Sequence, residues 1–196
     1  MASVTQRIKQ VKQPYGGYLP IKWFSKETFN DGILLNEIEN ISPALVGLAV
    51  DYLTRFTLGS TVEQAFHISI LGAGLIGKKA DAYKLVSKIS GLNDDSIIAA
   101  CKLAGFDVCY RSSISGYKSI EEISPDINTI QNIRTMVNRS MSFWKIYGPI
   151  LHSEITFDGG YSSTVNAGDG DYVTEDTIWD FKVSKKVQAL NTLYRF

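Results

Sequence analysis

The apolar residues of this 196-residue chain change period near residue 150, and no other feature constrains the fold as much. Before that point they recur every three to four residues, the spacing of one helix face. After it they alternate, the spacing of a strand. Leu45, Leu48, Ala49, Tyr52 and Phe56 keep the helical period. Ser42-Pro43 supplies an N-cap and a proline at the first helical position, and Gly59 closes the helix. Ser60-Thr61-Val62-Glu63 reads as a capping box in which serine and glutamate satisfy each other's amides, opening a second helix through His67. A short third helix is predicted from Ala82 to Ile89, and a fourth from the Asn93-Asp94-Asp95 cap to about Ala104. Ser124-Pro125-Asp126 opens the longest, with Ile127, Ile130, Ile133, Val137, Met141 and Trp144 in phase, and Gly148-Pro149 stops it.

Beyond residue 150, Leu151–Phe157 alternates and Asp158-Gly159-Gly160 turns. Two short runs, Asp171–Val173 and Ile178–Val183, follow, joined by Thr174-Glu175-Asp176-Thr177. Helices first and consecutive strands afterwards predict an α+β fold, its helical N-terminal two-thirds packed on a small mixed β-sheet formed by a C-terminal meander. Residues 1–40, punctuated by Pro14, Gly16, Gly17 and Pro20, read as an extended or irregular arm, and residues 41–196 as a single domain.

Charge removes several functions. Twenty basic residues balance 20 acidic ones, which argues against a basic nucleic-acid coat protein or a polybasic membrane binder. The longest uncharged apolar stretch, Ala65–Gly77, has 13 residues, against roughly 20 for a membrane span. The first residues lack the apolar core of a signal peptide. Cys101 and Cys109 form neither a disulfide framework nor a zinc spacing. A cytoplasmic protein without a membrane partner is expected.

The segment 168–186 carries the chemistry. Asp171 opens one predicted strand and Asp180 lies near the middle of the next, and the four-residue loop between the runs brings the two towards one end of a hairpin. Asp180 and Lys182, two apart on a strand, project from one face. Nearby carboxylates repel unless a cation neutralises them, and hard oxygen ligands suit magnesium or manganese. A lysine beside them can position or deprotonate a water, while the metal lowers that water's pKa and polarises a phosphoryl group. The combination fits hydrolysis of a phosphodiester. The plainer alternative is a solvated hairpin whose charges face water.

The pattern Gly168-x-x-Asp171 followed by Ile178-Trp179-Asp180-Phe181-Lys182 resembles the active-site hairpin of the PD-(D/E)XK nuclease superfamily, in its RecB-like and lambda-exonuclease-like branches. The resemblance implies a restriction-endonuclease-like core, magnesium or manganese as cofactor, and DNA as partner. It implies Asp171, Asp180 and the carbonyl of Phe181 as metal ligands, with Lys182 as the catalytic base or water-positioner. The RecB-like branch has an upstream helix reading roughly Gly-x-x-x-His, whose histidine joins the metal. Val46-Gly47-Leu48-Ala49-Val50-Asp51 is similar, with Asp51 in the place of that histidine; Asp51 could equally pair with Arg55 on the helix surface. Lys185 and Lys186 are expected to contact DNA. RecB-like nucleases continue into a helix with a Gln-x-x-x-Tyr motif, and this sequence ends about where that helix would begin, so a short or truncated member is expected. A nuclease of this type implies a phage or mobile-element setting. The alternative is a catalytically inactive module that keeps the nuclease fold and binds nucleic acid or protein.

Other motifs compete. Gly72-Ala73-Gly74-Leu75-Ile76-Gly77 fits G-x-G-x-x-G, but a dinucleotide site needs a strand before it and an acidic residue about 20 positions on at a strand end. A helix is predicted to run into these glycines instead, so close helix packing or a bend is expected and a dinucleotide-binding enzyme is a third reading. Asp169-Gly170-Asp171 lacks the remaining ligands of a calcium loop. His67 and His152 have no partner at ligand spacing, and no G-x-S-x-G nucleophile elbow occurs. Arg134, Arg139 and Lys145 put positive charge on the long helix without assigning it a role.

Overall fold

The computed structural model describes residues 2–12, 31–158, 165–181 and 183. The fold is α+β, as the change of period predicts. The chain divides into two compact units, Leu34–Phe143 and the pairing of Met1–Ile33 with Trp144–Phe196. The division falls at residues 33/34 and 143/144, whereas the sequence suggested one boundary at residue 40.

The first of these units is helical: α2 (Pro43–Thr57), α3 (Val62–Ala65), α4 (His67–Leu75), α5 (Lys79–Val86), α6 (Asp94–Ala104), α7 (Asp107–Arg111) and most of α8 (Ile127–Tyr147). Ser42 accepts from the amide of Leu45 and opens α2. The helix ends in a Schellman motif: Gly59 turns at φ 111°, its amide donates to the Phe56 carbonyl, and the Ser60 amide donates to the Arg55 carbonyl. That closure corrects the capping box. Ser60 is committed to ending α2, so the next cap moves on by one residue and Thr61 pairs reciprocally with Gln64. Asn93 caps α6 through the amide of Ser96, and Asp126 accepts from the amide of Thr129 at the start of α8.

Ala49, Leu53, Phe66, Ile97, Leu103, Phe106, Ile133 and Val137 form the buried interior of this unit. Helix α2 packs on α6, and α4 on α7. Residues 34–40 lie along α8 by side-chain pairing: Asn132 accepts from the Asn36 amide at 2.8 Å and donates to its carbonyl at 3.0 Å. Asn40 likewise donates its amide to the Thr129 hydroxyl at 3.1 Å.

The other unit contains the sheet. Strands β2 (His152–Asp158), β3 (Val165–Val173) and β4 (Ile178–Trp179) form the expected antiparallel meander. A fourth strand comes from the N-terminus, where β1 (Ala2–Ser3) pairs in parallel with β3 at Val165 and Ala167. The sheet is therefore mixed. Strand β2 occupies one edge of β3, while β1 and β4 share the other at its two ends. Helix α1 (Val4–Gln10) follows β1 directly. Residues 2–12 are thus not the irregular arm that the sequence suggested. The overlooked signal is Ser3-x-x-Gln6, a capping box in which the Ser3 amide donates to Gln6 and the Gln6 amide to Ser3. The rest of the expected arm, residues 13–30, lies outside the described residues. No described helix is long and apolar enough to cross a membrane.

Candidate metal hairpin

The aromatic residues of the hairpin fix its position. Tyr172 and Trp179 face each other across β3 and β4, and both lie against Trp144, with ring centroids 4.8 and 5.8 Å away. Phe181 stacks on the same indole at 5.1 Å. The turn is tied by the Thr174 amide, which donates to the Thr177 carbonyl at 2.9 Å, and by the Trp179 indole N–H, which donates to the Thr174 hydroxyl at 3.0 Å. Aromatic burial on one side and a two-point turn on the other hold the backbone that carries the acids.

Strand bounds differ from those read in the sequence. Asp171 stands near the end of a nine-residue strand, not at its start, and β4 ends at Trp179, so Asp180 lies just beyond it. The sequence reading missed the length of β3 because Gly168 and Gly170 depress strand propensity. The relationship between the acids nevertheless follows from the register. Tyr172 pairs with Trp179 and Val173 with Ile178, and one further step brings Asp171 opposite Asp180. Residues so placed have Cβ atoms about 4.5–5.5 Å apart, and like charges there are unfavourable. The Phe181 amide donates to the Asp171 carboxylate at 2.6 Å. Asp171 is half-buried and Asp180 exposed.

Two carboxylates and the Phe181 carbonyl are a hard-oxygen donor set of the kind magnesium and manganese take. Among the described residues no three His, Cys, Asp or Glu side chains gather into a metal-sized group. Lys182, Lys185 and Lys186 lie outside the described residues. Asp51 belongs to the helical unit, where its two carboxylate oxygens accept from Arg55 at 3.0 and 2.9 Å. The i,i+4 pairing is the alternative that its spacing allowed.

The glycine motif sits in a helix, not after a strand. Gly72 lies inside α4, where a Cβ would stand 2.1 Å from the Phe106 carbonyl oxygen. The glycine thus permits close helix packing, and the strand–turn–helix context of a dinucleotide site is missing there. Both thiols are buried, and burial pushes Cys101 up to about 12 and raises Cys109; neither is poised as a nucleophile.

Sequence reading missed one buried polar cluster. Asp107 is 2% exposed and accepts from the Tyr52 and Ser69 hydroxyls, each at 2.5 Å. It also accepts from Arg111 Nε at 3.1 Å, while Arg111 Nη2 donates to the Tyr52 hydroxyl at 3.2 Å. Only the i,i+4 spacing of Asp107 and Arg111 marked it in the sequence, and that spacing is also common on solvated helices. Compared with known proteins, the chain matches no family model, no curated protein and no solved structure.

Proposed function

We propose that this protein is a metal-dependent deoxyribonuclease of the PD-(D/E)XK type, hydrolysing phosphodiester bonds at the hairpin of β3 and β4. The supporting observation is the convergence of Asp171 on the backbone of the Asp180–Phe181 step, through a 2.6 Å hydrogen bond. Asp171, Asp180 and the Phe181 carbonyl would hold magnesium or manganese. Such an ion supplies Lewis acidity and a water of lowered pKa. The chain's own groups do the rest. Asp171 is anchored by the Phe181 amide, next to the backbone that carries Asp180, and Lys182 would orient the attacking water and offset charge on the phosphate.

A second reading is favoured by the pairing of Asp51 with Arg55: a module that keeps the hairpin without catalysis. Melting curves during magnesium or manganese titration separate the two. A working site gives a metal-dependent rise in Tm that Asp180→Ala abolishes. The same Tm at every metal concentration in the wild type would exclude the nuclease.

A further inference from the structure

Helix α4 carries its leucines on the outside. Ser69, Ile70, Gly72 and Ala73 form its buried side, with Gly72 against the backbone of Phe106 and the side chain of Cys109. At i, i+4, i+7 and i+8 the opposite side holds His67, Leu71, Gly74 and Leu75, all exposed. Leu71 is 37% and Leu75 57% exposed, and a Cβ at Gly74, between them, would have no neighbour within 4 Å. The outer face of a helix in a globular domain is ordinarily charged or polar. Here two leucines flank bare backbone instead.

The charges stand at the two ends of this seam. None occurs from Ala65 to Gly77, Glu63 stands shortly before that stretch, and Lys78 and Lys79 directly follow it. All three are exposed. Among the described residues the Glu63 carboxylate has no ion-pair partner. Lys79 lies over the Tyr83 ring at 6.0 Å, and Lys78 reaches Asp81 at 3.9 Å. A neutral seam with acid at one end and base at the other is complementary to itself when turned end for end. A two-fold axis across α4 sets two copies antiparallel, Leu71 against Leu75, and brings Glu63 of each towards Lys78 and Lys79 of the other. The helix dipoles then oppose favourably. Parallel pairing would set like charges together. Zero net charge leaves no long-range repulsion between copies. An anionic membrane, by contrast, would attract one end of the seam and repel the other.

We propose that α4 is a homodimer seam, packed antiparallel through Leu71 and Leu75, with Glu63 paired to Lys78 and Lys79 across the two-fold axis. One nine-residue helix face per copy falls short of the roughly 800 Å² per partner that stable complexes bury, so the dimer is weak and concentration-dependent. The metal hairpin takes no part, and dimerisation stands or falls independently of the nuclease reading. Sedimentation velocity of the full chain from micromolar to millimolar concentration, without metal or DNA, is expected to show monomer passing into dimer. Leu75→Asp is expected to weaken association by about tenfold or more, because it places a carboxylate in an apolar contact. Glu63→Lys is expected to weaken it by a smaller factor, and the full exchange, Glu63→Lys with Lys78→Glu and Lys79→Glu, to restore it. All four positions are exposed, and circular dichroism checks that each variant folds. A chain that stays monomeric, a dimer that keeps its strength in Leu75→Asp, or a charge exchange that fails to restore association would overturn the proposal. A monomer that instead floats with phosphatidylcholine–phosphatidylglycerol vesicles, and loses this in Leu75→Asp, would give the face to a membrane and overturn it too.

Discussion

Asp107 and Asp51 have the same local grammar and different surroundings. Each stands four residues before an arginine on a helix and pairs with it. The side chain of Asp51 keeps 23% of its surface in water, while that of Asp107 keeps 2%. The difference arises from residues 38 and 55 positions away, Ser69 and Tyr52, which donate to Asp107. No local spacing reveals such donors, which is why one pair could be read from the sequence and the depth of the other could not. Asp107→Ala leaves the buried Tyr52 and Ser69 hydroxyls without their acceptor, at about 1–3 kcal/mol each, so a loss of about 2–6 kcal/mol is expected in urea unfolding. Asp51→Ala, which takes the acceptor from no buried hydroxyl among the described residues, is expected to cost less. Similar losses for the two would contradict the assignment. The cluster also sets a pH limit. Burial, and then the Asp107 charge, raise the Tyr52 hydroxyl above its ordinary value of 10.0. The folded state thus holds this proton to higher pH than the unfolded chain does. Its contribution to stability is complete below pH 10 and falls as pH rises towards the folded value. Tyr52→Phe is expected to flatten the alkaline limb of Tm against pH; an unchanged limb would place Tyr52 outside the linkage.

At the scale of elements, caps and periods located α2, α6 and α8 because each helix is long enough to show its period and carries its own N-cap. Helix α7, with five residues, is shorter than any window in which a helical period can be recognised. Strand β1, with two residues, exists only through its pairing with β3. Inside α4 the two glycines Gly72 and Gly74 look alike in sequence and differ in space. A Cβ at Gly72 would meet the Phe106 carbonyl, whereas none of its neighbours comes within 4 Å at Gly74. Gly74→Ala is expected to raise stability by about 0.5–1 kcal/mol through helix propensity. Gly72→Ala is expected to lower it by about 1–3 kcal/mol, because packed backbone must move. Chemical denaturation of both variants checks the pair. Equal effects would remove the packing role given to Gly72, and stabilisation of the wild type by NAD(P) would restore a dinucleotide role.

For the molecule as a whole, zero net charge argues against tight, sequence-blind coating of DNA by the whole surface and says little about a local site, where acidic metal ligands and basic phosphate contacts would cancel in a sum. The hairpin that carries the two acids could be read from the sequence because it is local: Asp171, a tight turn, and Asp180. What could not be read was what holds them, since the aromatic layer draws Trp144 from the end of α8 onto Tyr172, Trp179 and Phe181. Cleavage of linear and circular DNA in magnesium, compared across wild type, Asp180→Ala and Lys182→Ala, addresses the nuclease reading directly. The wild type is expected to degrade DNA only when the metal is present, and each substitution to reduce the rate at least a hundredfold, on the order of one acid–base or metal-site contribution. Cleavage at the wild-type rate in both variants would contradict it.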